Sequence, residues 1–108
     1  MLNQHDPNVI AARLSAAGND WADKNAAAKA LERAAKAMRY QCFLDADGNN
    51  EVRKAKAETA QAYQDLLDKA GDAETAAIKA RVRYDTMRTE IDMIRTMEST
   101  KRAEMGMR

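Results

Sequence analysis

One cysteine, one histidine, one proline and four scattered glycines stand among 108 residues, and each scarcity closes off a chemistry. A lone Cys42 excludes an internal disulfide framework. A lone His5 removes paired-histidine metal sites and argues against a Ser/His/Asp or Cys/His catalytic unit. Gly18, Gly48, Gly71 and Gly106 lie too far apart to form a phosphate-cradling loop. No apolar run approaches the ~18–20 residues of a membrane span. The opening MLNQHDPNVI lacks the basic and apolar regions of a secretion signal. The expectation is a protein that is not an enzyme, uses no cofactor or metal, keeps off membranes and resides in the reducing cytoplasm.

Large apolar residues are also scarce. Leu, Ile, Val and Phe together fill 14 positions, whereas alanine alone fills 23. The net charge of +1 is too small for the usual disorder signature. Ala, Lys, Arg, Glu, Gln and Met dominate, and all favour helix. With few β-branched and aromatic residues, a sheet is disfavoured. The composition predicts an all-α protein with a thin core.

Asp6-Pro7 reads as a helix start, because Asp caps well and Pro suits the first helical position. Ile10 and Leu14 share a face, and Gly18 reads as a stop, giving a short helix over 7–17. A first long helix is expected over 20–46. In it Trp21, Ala28, Leu31, Ala35, Met38 and Cys42 recur at spacings of seven, three, four, three and four, the pattern of a coiled-coil seam. Asp45-Ala-Asp-Gly-Asn-Asn50 is a turn cluster. A second long helix is expected over 50–105, its seam opening with Val52, Ala55, Thr59, Ala62 and Leu66. Gly71-Asp72 marks its weakest place, costing about 1 kcal/mol of propensity, and is the one candidate for a kink. The sum is a single domain over 1–108: a long antiparallel, coiled-coil-like helical hairpin with a short N-terminal helix.

The two arms are unequal, about 27 and about 55 residues, or ~40 and ~80 Å at the helical rise. A symmetric hairpin places Trp21 opposite residues 75–80. The seam beyond, Tyr84, Met87, Ile91 and Ile94, then lacks a partner unless the N-terminal helix folds back on it. Together with Met97, these residues are the candidate partner or oligomer interface, and they predict self-association. The methionines gathered in the last quarter, Met87, Met93, Met97, Met105 and Met107, suit an adaptable contact surface.

Two further constellations carry chemistry. Asp45, Asp47 and Asn49 match positions 1, 3 and 5 of an EF-hand loop. The match fails where Asn50 replaces the required Gly and Lys56 replaces the bidentate Glu, so the cluster reads as a hairpin tip. Arg81, Arg88, Arg95 and Arg102 recur every seven residues and form one stripe, joined by Lys79, Arg83, Lys101 and Arg108. Such a stripe could track nucleic-acid phosphates. However, Asp85, Asp92 and Glu98 are interleaved as helix-surface ion-pair partners, and no aromatic residue is spaced to stack bases. A solvated or partner-facing stripe is therefore favoured over nucleic acid.

From about Ala34 to Met105 the chain resembles small helical-hairpin proteins encoded by tailed phages and prophages near recombination and replication genes. The likeness rests on Tyr40 before the turn, Asp47-Gly48 at the tip, Glu51-Val-Arg-Lys-Ala55 opening the second arm, and Thr89-Glu-Ile-Asp-Met-Ile-Arg-Thr-Met-Glu-Ser99. Residues 1–20 depart from that pattern. The resemblance implies a phage origin, a bacterial cytoplasm, and a non-enzymatic role as an accessory to phage DNA recombination or replication or as an inhibitor of a host system. It transfers no catalytic residue.

Overall fold

The computed structural model describes residues 6–106; His5, Met107 and Arg108, named above, lie outside them. Among the described residues every regular element is α-helical: α1 (Pro7–Asp45), α2 (Asn50–Thr59) and α3 (Gln61–Gly106). The chain is thus all-α and turns back after Asp45 as an antiparallel helical hairpin. Two compact units are found along these helices. One joins the residues up to Trp21 with those from Lys79 onward, and the other is Ala22–Ile78.

The helix start is the one expected. Asp6 accepts from the Asn8 backbone N–H at 2.8 Å through its carboxylate, satisfying one of the orphan donors of the first turn, and its carbonyl accepts the first helical bond from Ile10 N–H at 3.0 Å. The expected stop at Gly18 is absent, so the segments 7–17 and 20–46 are one helix of 39 residues. The reason is tertiary. A Cβ at Gly18 would sit 3.3 Å from Cε2 of Tyr84, so this glycine serves close approach of a ring rather than a chain reversal.

In the unit Ala22–Ile78, the α1 seam is the one the spacing gives. Ala28 and Ala35 are 8% and 2% exposed, and Leu31, Met38 and Cys42 are half-buried. The second arm corrects the expectation. Val52 is 42% exposed, and Ala55, Thr59 and Ala62 are exposed, while Ala57 is buried. The rotation follows from Arg53, one residue along. Its Nε donates to the Phe43 carbonyl at 3.1 Å, and its guanidinium lies 4.3 Å from the Phe43 ring centroid, a cation–π contact. Turning Arg53 inward turns Ala57 inward, one helical turn on.

The tip is built as its Asx content demands. The Asn49 side chain caps α2 by accepting from Val52 N–H at 2.9 Å, and Gly48 takes a φ of 117°, open to glycine at little cost. Lys56, which spoils the calcium pattern, donates to the Asp47 carbonyl at 2.9 Å. Its ammonium closes the loop that an EF-hand would close around a cation. Among the described residues no group of three His, Cys, Asp or Glu could hold a metal ion.

The second arm is interrupted, but at Ala60 and not at Gly71. Ala60 is extended (φ −61°, ψ 130°), and the Gln64 side chain recovers the Glu58 carbonyl at 2.6 Å. This break also undoes the symmetric count that placed Trp21 opposite 75–80, which assumed an unbroken second arm. Gly71 lies inside α3, and a Cβ there would meet nothing within 4 Å. Gly71→Ala is therefore expected to raise stability by about 0.5–1 kcal/mol in urea titrations, since alanine loses less backbone entropy in a helix.

Candidate interaction surface on α3

In the unit formed by the residues up to Trp21 and from Lys79 onward, α3 has two opposite faces. The inner one carries Ala80, Tyr84, Met87, Ile91 and Ile94. Ala80 and Ile91 are 1% and 8% exposed, and Tyr84, Met87 and Ile94 are half-buried. Trp21 lies against Tyr84 with ring centroids 5.6 Å apart and planes tilted by 35°, within the range favoured by aromatic pairs. Asp20 accepts from Arg83 Nη2 at 3.3 Å. Pro7, Ile10 and Leu14 line a groove of about 390 Å³ together with Ile91 and Ile94. The strip expected to lack a partner is therefore covered by the start of α1, and the case for obligate self-association through Tyr84, Met87, Ile91 and Ile94 loses its premise. Met97 does not belong with them. It is 61% exposed, one helical step beyond Ile94 at the edge of the strip.

The arginine stripe borders this inner face. The Arg81 guanidinium stands 5.9 Å from the Trp21 ring centroid, and that of Arg88 stands 5.9 Å from the Tyr84 ring. Arg81 also pairs with Asp85 at 3.7 Å. Arg95 lines the groove beside Ile10 and Leu14, and Arg102 is exposed near the end of α3. Two of the four arginines thus roof the aromatic pair. Single exposed cations of this kind contribute little. Arg88→Ala and Arg95→Ala are each expected to lower stability by less than about 1 kcal/mol in chemical denaturation.

The outer face of α3 carries a seam of its own. Val82, Thr86, Thr89, Met93, Thr96 and Thr100 recur at spacings of four, three, four, three and four. This is a second coiled-coil-type seam on one helix. All six are exposed, Val82 and Met93 by 57% and 60%, with Met97 beside them. Val82, Thr86 and Thr89 line a shallow depression of about 310 Å³ with Asp85 and Glu90. The signal was present in the spacing, but threonine does not register as apolar when a seam is counted.

No family model, curated protein or solved structure matches this chain. No helix among the described residues is long and apolar enough to cross a membrane.

Proposed function

We propose that this chain is a non-catalytic helical interaction protein that binds a protein partner through the outer face of α3. The observation that carries the reading is the exposed seam of Val82, Met93 and Met97 lying opposite a face already covered within the chain. Contiguous exposed apolar surface of this kind marks interaction sites. The likeness of residues 34–105 to phage-encoded helical hairpins supports a partner among the proteins of phage DNA recombination or replication, or in a host system that the phage inhibits.

Nucleic-acid contact through Arg81, Arg88, Arg95 and Arg102 is the second reading, favoured by their placement along one exposed stripe. It carries a handicap, because phosphate must draw Arg81 and Arg88 away from the Trp21 and Tyr84 rings.

Photo-crosslinking in the cell of origin separates the two. A crosslinking side chain at position 93 is expected to give discrete protein adducts that Val82→Asp removes, with none from position 95. Nucleic-acid adducts from position 95 that weaken steeply with salt would favour the second reading. Absence of adducts at position 93 would overturn the first.

A further inference from the structure

We infer that the outer seam of α3 takes a basic amphipathic helix, one with its own three-four apolar seam flanked by Lys or Arg, rather than a second copy of this chain. The inference deepens the proposed function and rests on it.

Charge on α3 is sorted by face. The heptad arginines border the inner seam, where Arg81 and Arg88 lie over the rings of Trp21 and Tyr84. Carboxylates border the outer seam. Asp92 and Asp85, the latter also paired with Arg81 at 3.7 Å, run along one edge, one helical step from Val82, Thr89 and Thr96, and Glu90 stands on the other. Of the cations on that second edge, Arg83 is engaged by Asp20 at 3.3 Å, and Lys79 and Lys101 stand at the two ends of the seam, away from Glu90. Pairing two copies of this face brings like charges together in either orientation. Antiparallel pairing sets the Asp85 and Asp92 edges against each other, whereas parallel pairing sets Asp85 near Glu90. Like charges at these flanking positions disfavour a pairing, and opposite charges select a partner. A basic edge complements both sides at once.

The threonines make the face inexpensive to bury. Thr89 Oγ1 donates to the Asp85 carbonyl at 3.0 Å, Thr96 Oγ1 to that of Asp92 at 2.9 Å, and Thr100 Oγ1 to that of Thr96 at 3.0 Å. These three hydroxyls are satisfied inside their own helix, so a docking helix strands none of the three. The seam thus presents Val82, Met93 and the methyls of its threonines in one line.

The test uses the full chain and two synthetic helical peptides that share a leucine seam, one flanked by lysine and the other by glutamate. Fluorescence anisotropy is expected to show at least tenfold tighter binding of the lysine-flanked peptide. Met93→Asp, at an exposed position that leaves helicity unchanged by circular dichroism, is expected to weaken that binding at least tenfold. The double variant Asp85→Lys, Asp92→Lys is expected to reverse the preference. Equal binding of both peptides, or binding indifferent to Met93→Asp, would overturn the inference. So would sedimentation showing a wild-type dimer that Met93→Asp dissociates, because the occupant would then be a second copy. Adducts at position 93 in cells without peptide selectivity would refute the basic partner and leave the proposed function standing. Loss of both would refute both.

Discussion

Ile91→Asp is expected to destabilise the protein by about 3–5 kcal/mol. Truncating a buried isoleucine alone costs about 2–5 kcal/mol, and a carboxylate placed there has to shed water without gaining a partner. Ile91 is 8% exposed and lines, with Ile10, the groove between α1 and α3. The damage is expected to be regional, because proteins open in cooperative units. Hydrogen exchange is expected to show protection lost over residues 7–21 and 79–98, while 22–78, a separate compact unit, keeps most of its own. Uniform loss of protection along the chain would show that the two units unfold as one.

Trp21→Ala is the second large effect, expected at about 2–3 kcal/mol. The side chain is half-buried, so it stands below the ~3–5 kcal/mol of a fully buried Trp→Ala change. Its loss removes the ring contact with Tyr84 at 5.6 Å, worth about 0.5–1.5 kcal/mol beyond area burial, and unroofs Arg81. Tyr84→Ala removes the same contact from the other side. Urea denaturation of the two single variants and the double variant is expected to show a double loss smaller than the sum of the singles, as contacting residues couple. Strict additivity would mean that the rings touch without stabilising one another.

How much of this was legible in the sequence depends on whether the cause was local. Asp6-Pro7 and Asn49 act on backbone groups within three residues of themselves, and both caps were readable. So was the α1 seam, since Ala28, Leu31, Ala35, Met38 and Cys42 hold one period throughout. Gly18 was misread because an isolated glycine looks like a stop unless the ring that needs the space, Tyr84, is known to lie against it. The break at Ala60 had no local mark. Glu58, Thr59, Ala60 and Gln61 contain neither glycine nor proline, and the hydrogen bond that supports the break comes from Gln64. The rotation of α2 turned on Arg53, a charged residue that a hydrophobic count assigns to solvent, although it bonds and covers Phe43. Of the expected site, Tyr84, Met87, Ile91 and Ile94 do form one strip, but its partner is the start of α1. The surface left over is the opposite face of Val82 and Met93, with Met97 at its edge, whose seam was masked by its threonines.

A chain that covers its own inner seam and keeps the outer one for a different protein needs no second copy to fold. Thermal unfolding of the isolated protein over a hundredfold range of concentration tests this most directly. A protein whose fold requires a second copy gains stability with concentration by mass action. Full helicity and a Tm that does not move across the range are expected. A Tm that climbs with concentration, together with helicity lost on dilution, would contradict this.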